Sequence, residues 1–263
     1  VNLNLGEGWQ VSPAGGATGE AYVAQQGEEK LFLKRNSSPF LAVLSAEGIV
    51  PKLLWTKRLE NGDVITAQKW VSGNELKAFE MNQGRVAQLL GKIHRSSELL
   101  HMFKRIGNEP LTPHSIIEEI KHHLSNDYFE DDILEEALIF LYRRQEQVKH
   151  DEYVVCHCDV NHNNWMMSED GDLFLIDWDG ATVADPALDL GLMLYLYIPE
   201  DEWEHWLKQY GIELTTNLQM RMHWYVVSQL VLEVIWHGKR GKPEEVTRWK
   251  AFVQNLIKNQ GPE

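Results

Sequence analysis

The sequence holds only two cysteines, Cys156 and Cys158, separated by one residue. It therefore lacks the material for long-range covalent cross-links and carries no mark of an oxidising compartment. Long apolar runs are missing too, since residues 173–176 and 190–196 fall far short of the roughly 20 residues that span a bilayer. No basic stretch leads into an apolar one near the start, so the expectation is a cytoplasmic protein without membrane insertion. Positive charge is scarce: 25 Lys and Arg stand against 39 Asp and Glu, a net charge of −14. That excludes a general basic surface for nucleic acid or anionic lipid, while leaving room for one local cationic pocket. No internal repeat or low-complexity segment occurs. What is present is 263 residues, 43% of them hydrophobic, enough for a sizeable core in one large domain or two smaller ones.

The first 70 residues read as mostly β. A glycine-containing stretch at 12–19 precedes two apolar runs, 21–24 and 31–33, set around the polar turn 25–29, the pattern of a hairpin. Residues 40–46 suggest a short helix closed by Gly48, and 50–55 begin another extended segment. Asn61-Gly62 signals a turn before the strand-like 64–67. Beyond residue 73 the apolar spacing becomes helical, at 86–94, 116–124, 133–148, 203–210, 218–235 and 246–257. The expected fold class is α+β: a small β-rich N-terminal lobe, 1–72, followed by a larger helical lobe, 73–263, joined near residues 68–73.

The stretch from Val154 to Asp189 carries the chemistry. The polar turn 168–172 separates two short apolar runs and predicts a second hairpin. If Met167 faces Leu173, Asn164 and Asp177 emerge side by side at its open end, with Asp159 in the loop leading into that end. One carboxylate is then free to act as a base, while a carboxylate and an amide oxygen can hold a hard divalent cation. Phosphoryl transfer from a nucleotide needs that set.

These residues also fall into a known order. His157, Asp159 and Asn164 form His-x-Asp-x4-Asn, Ile176-Asp177-Trp178 follows, and Asp185-Pro186-Ala187-Leu188-Asp189-Leu190 closes the series. The pattern resembles the aminoglycoside phosphotransferase and choline kinase superfamily, relatives of the protein kinases. The resemblance implies a bilobal protein-kinase-like fold and Mg²⁺ and ATP dependent transfer of the γ-phosphoryl group to a hydroxyl on a small-molecule acceptor. It implies Asp159 as catalytic base, His157 as a brace of the catalytic loop, and Asn164 and Asp177 as Mg²⁺ ligands. Asp189 would tie the loop to the next helix. On the N-terminal side Lys34 would contact the donor phosphates, the loop with Gly16, Thr18 and Gly19 would cover them with backbone N–H groups, and Gln68 and Trp70 would lie at the adenine-reading hinge. One departure stands out: members of the superfamily pair the lysine with a glutamate on the next helix, and here Glu47 is the only nearby carboxylate. Residues 31–41, 46–53 and 157–165 are similar to a bacterial branch of cell-cycle regulators. That implies a ribosyl or deoxyribosyl acceptor such as a nucleoside 5′-hydroxyl, links to the division protein FtsZ and to DnaA-dependent replication control, and a location at the division site.

Other readings of the same residues stay open. Cys156, His157, Cys158 and His162 are zinc-ligand types, but one-residue spacing suits a tetrahedral site poorly. Trp203, Trp206, Trp224, Trp236 and Trp249 could be core or an aromatic cage for a quaternary ammonium such as choline, with ethanolamine a related acceptor. Asp179 and Glu233 could bind a cationic or polyhydroxylated acceptor such as an aminoglycoside, and His94 reads as a packing residue. A protein kinase is disfavoured because Asp177 to Asp185 leaves no space for a peptide-positioning activation loop. A nucleotide-binding regulator with little turnover is the reading from another class.

Overall fold

A computed structural model describes residues 5, 8–14, 20–37, 40–107, 109–126 and 131–259. The chain folds as two compact units, each drawing on two stretches of sequence: Val1–Lys77 with His162–Gly180, and Ala78–Asn161 with Ala181–Glu263.

The first unit is built on an antiparallel five-stranded sheet of β1 (Gln10–Pro13), β2 (Ala21–Gln26), β3 (Glu29–Arg35), β4 (Leu53–Arg58) and β5 (Val64–Lys69), in the order β1-β2-β3-β5-β4. The β2–β3 hairpin is longer than the apolar pattern suggested, because Gln25 and Gln26 still pair with Lys30 and Glu29. Gly27 makes the tight reversal possible at φ +59°. Alternation along the strands buries Tyr22, Ala24, Leu31, Leu33, Ile65 and Ala67 as one core. Helix α1 (Leu41–Ala46) follows β3, and Gly48 at φ +68° ends its exit turn. The unit is completed by β6 (Gly73–Glu75), β8 (Trp165–Ser168) and β9 (Leu173–Leu175), which form a separate sheet in the order β6-β8-β9; β7 belongs to the second unit.

The second unit is helical. Its elements are α2 (Gly84–His94), α3 (Ser97–Arg105), α4 (Pro113–Asn126), α5 (Asp132–Arg144), the β7 (Val154–Cys156) and β10 (Thr182–Ala184) pair, then α6 (Ala187–Tyr197), α7 (Trp203–Tyr210), α8 (Thr216–Lys239) and α9 (Pro243–Lys258). Ser96 and Asp131 cap α3 and α5 by accepting from backbone N–H groups of the first turn, which sets where those helices start. Helix α6 is apolar on nearly every side and reads as a continuous run rather than a stripe, which explains why its periodicity was not visible in the sequence. It lies so close to α8 that a methyl group at Gly191 would come within 2.8 Å of the Met222 carbonyl oxygen. Among the described residues no helix is long and apolar enough to cross a membrane.

Candidate active site

The residues singled out in the sequence divide between the two units, and each group is built by its own elements.

In the first unit, the β8–β9 hairpin has Met167 opposite Leu173, Met166 opposite Phe174 and Trp165 opposite Leu175. The ladder runs one step further, with the Ile176 N–H donating to the Asn164 carbonyl at 2.8 Å. Asn164 and Asp177 thereby stand at the same end of the hairpin, as the turn register requires. Asp177 has a left-handed backbone at φ +63°, which aspartate tolerates better than most residues, and the chain turns there into a short 3₁₀ segment, Trp178–Gly180. Trp178 is buried and its indole N–H donates to the Leu175 carbonyl at 2.8 Å.

Lys34 belongs to the central strand β3, opposite Ala21 on one side and Thr66 on the other. Its ammonium donates to both oxygens of Asp179, each at 2.8 Å, and to one oxygen of Asp177 at 3.1 Å. Burial alone would lower the affinity of this amine for its proton. The hydrogen bond to Asp179 and the charge of Asp177 outweigh that and hold Lys34 above the ordinary lysine range. Asp179, which the sequence suggested for an acceptor, thus lies beside the lysine, and the departure noted at the next helix has a structural answer in these two aspartates. Gln68 lies inside β5, flanked by β3 and β4, and its side-chain amide donates to the Pro51 carbonyl at 2.8 Å. Trp70 follows that strand, with the Lys30 ammonium 5.7 Å from its ring centre. Gly16, Thr18 and Gly19 lie outside the described residues.

In the second unit, β7 delivers the chain into the loop that carries His157 and Asp159. The buried Asp189 carboxylate, on α6, accepts from the His157 N–H at 2.7 Å and the Cys158 N–H at 2.9 Å. His94 Nε2 lies 3.1 Å from the same carboxylate, and its Nδ1 is 2.7 Å from the Tyr210 hydroxyl. His94 thereby bridges the Asp189 carboxylate and the Tyr210 hydroxyl. Cys158 is held left-handed at φ +66°, and the Asp159 N–H donates to His157 Nδ1 at 3.3 Å. The Asn161 amide donates to Asp159 itself. Burial first, and then the Asp189 charge, push both cysteine thiols well above their usual range, which favours the neutral thiol beside this loop. His94, Cys156 and Asp189 do offer ligand-type atoms close together, but each is engaged by the hydrogen bonds of this loop.

A second carboxylate, Asp185, two residues before α6, accepts from the Ala187 N–H at 2.8 Å and pairs with Arg221 of α8 in the interior. Arg221 was not picked out from the sequence. Its position in the mostly apolar stretch 218–231 was the available signal, because an arginine facing a core demands an acid.

The tryptophans separate. Trp203, Trp206 and Trp224 are buried, and each donates its indole N–H to a carbonyl, of Ile198, Met81 and Leu141 respectively. Trp236 is exposed, and Arg240 already lies over its ring at 3.7 Å. Trp249 carries Arg248 at 4.8 Å. Glu233 is held above the ordinary carboxylate range by loss of water and by the charge of Asp159, although about half of its side chain still reaches solvent.

Residues 10–224 match the phosphotransferase enzyme family, and the chain belongs to it. It is therefore a phosphotransferase. Solved structures similar over nearly the whole of this chain include the following three. Choline kinase LicA from Streptococcus pneumoniae is 18% identical, with 95% of this chain and 93% of that chain covered and a TM-score of 0.70. A spectinomycin phosphotransferase in complex with ADP and spectinomycin is 15% identical, covering 96% and 92%, with a TM-score of 0.66. An ethanolamine kinase from Plasmodium vivax is 14% identical, covering 97% and 83%, with a TM-score of 0.68. At such identities the likeness is one of fold, the α+β protein-kinase-like fold of choline and aminoglycoside kinases.

Proposed function

We propose that this phosphotransferase moves the γ-phosphoryl group of ATP to a hydroxyl of a small molecule, and that the acceptor is a ribosyl or deoxyribosyl compound such as a nucleoside 5′-hydroxyl. The observation that carries the kinase chemistry is the β8–β9 register, which sets Asn164 and Asp177 at one end of a hairpin, with Asp177 in hydrogen-bond contact with Lys34. Those hard oxygen donors suit Mg²⁺, and Asn164 and Asp177 would hold it. When bound, the cation neutralises phosphate charge. The chain's own residues do the rest. Lys34 offers a fixed positive charge to the donor phosphates. Asp159 orients the acceptor hydroxyl and takes its proton, on a loop whose backbone is clamped by Asp189 and braced by His157. Support for a nucleotide donor comes from the relative solved with ADP.

The finer reading follows the similarity of residues 31–41, 46–53 and 157–165 to the cell-cycle regulator CcrZ (YtmP), and with it come FtsZ and the DnaA pathway as candidate partners and the division site as a location. Choline, ethanolamine and aminoglycosides are the competing acceptors, named by the solved relatives. Against a tryptophan cage stands the burial of three of the five candidate tryptophans and the arginines on the other two.

The test is ADP release by purified protein with ATP and Mg²⁺, screened against nucleosides, ribose, choline, ethanolamine and aminoglycosides. Release with nucleosides is expected. Asp159→Asn should fold normally, by circular dichroism, and turn over ~10²–10⁴-fold more slowly. Release confined to choline or aminoglycosides would replace the acceptor. ATP binding without release for any acceptor would replace the enzyme by a nucleotide-binding regulator.

A further inference from the structure

The lysine of β3 is held by a carboxylate from an unexpected place. Helix α1 contains no acidic residue, and Glu47 caps its far end. Among the described residues the ion pairs of Lys34 are to Asp177 and Asp179. The two contacts are unequal: Asp179 offers both oxygens at 2.8 Å, Asp177 one oxygen at 3.1 Å. The turn that bears Asp179 is also fixed. Trp178 is buried, donates to the Leu175 carbonyl, and meets the Phe40 ring edge-on at 6.4 Å, just before α1. The Leu175 N–H in turn donates to the Ile49 carbonyl at 3.0 Å, just after α1. A lysine side chain has four flexible bonds, and a two-oxygen grip from an anchored turn restricts it far more than one oxygen can.

We propose that Asp179 is the resident anchor of Lys34, a positioning residue that takes the place of a helix glutamate and leaves Asp177 available to the cation. This deepens the kinase reading and rests on it only for its catalytic consequence. The anchoring itself can be read without turnover. In protein carrying ¹³C-labelled lysine, with no nucleotide or metal added, the Lys34 ε-methylene should be ordered. It should become as mobile as a surface lysine in Asp179→Asn and remain ordered in Asp177→Asn. A mobile Lys34 in the parent protein, or release by Asp177→Asn and not by Asp179→Asn, would overturn the proposal.

With an acceptor in hand, Asp179→Asn should lower kcat by roughly tenfold, the scale of one charge-assisted hydrogen bond, and Asp179→Glu should recover most of it. On a Lys34→Met background the Asp179→Asn change should add less than about twofold, as groups acting through one another do. Full additivity there would refute the coupling. Mn²⁺ titration followed by electron paramagnetic resonance separates the competing role, since loss of a bound ion in Asp179→Asn would make Asp179 a metal ligand instead. Absence of turnover with every acceptor would remove the kinase reading while the lysine dynamics still decide the anchor.

Discussion

His223 of α8 is packed between the rings of Phe140 and Tyr195, and its Nδ1 lies 3.2 Å from the Tyr195 hydroxyl. Burial first, and the nearby charge of Arg144 second, push its pKa down to about 4. An unfolded chain titrates this imidazole near 6.5. Between 6.5 and 4 the unfolded state binds a proton that the native state refuses, so stability falls as pH falls through that window and levels off below it. The loss is of the order of 3 kcal/mol. Urea unfolding at pH 7 and pH 4.5 should therefore give a smaller difference in His223→Leu than in the parent; an equal difference would assign the acid sensitivity to carboxylates. None of this was visible in a lone His among apolar neighbours. The candidate residues could be singled out for the opposite reason: His157, Asp159 and Asn164 sit at fixed spacing on one continuous stretch, whereas Asp179 meets Lys34 across 145 positions and no local pattern encodes that meeting.

Elements were legible where they bury one face. The stripe at 86–94 and the run at 203–210 became α2 and α7 with ends within two residues of the pattern. Short elements held by partners distant in sequence were not: β6, three exposed residues, exists because it pairs with Met166–Ser168, and α3 is amphipathic but only nine residues long. β6 also depends on having no side chain at its first position. A methyl group at Gly73 would run into the Met167 carbonyl oxygen of β8, against which backbone cannot yield cheaply. Gly73→Ala is expected to cost about 1–3 kcal/mol, measured by chemical denaturation, by displacing the hairpin that carries Asn164. A variant as stable as the parent would mean that β6 peels away freely.

At the scale of the molecule, the chain passes between its two units three times, after Lys77, Asn161 and Gly180. A fragment ending at Lys77 keeps the five-stranded sheet but loses the partner of β6 and both carboxylates that hold Lys34. It is expected to lack a cooperative thermal transition by circular dichroism, and a second fragment joining 162–180 to it through a flexible linker should restore one. A cooperative transition in the shorter fragment would show that the sheet suffices. The same interleaving bears on how the loop that carries Asp159 could be reused. Cys158 adopts a backbone shape that cysteine does not choose for itself, imposed by a carboxylate that lies 31 positions further along the chain. Residues 156–161 are consequently not a portable cassette: grafted onto another scaffold without an acid placed as Asp189 is, the loop would relax, and Asp159 would arrive as an ordinary surface aspartate.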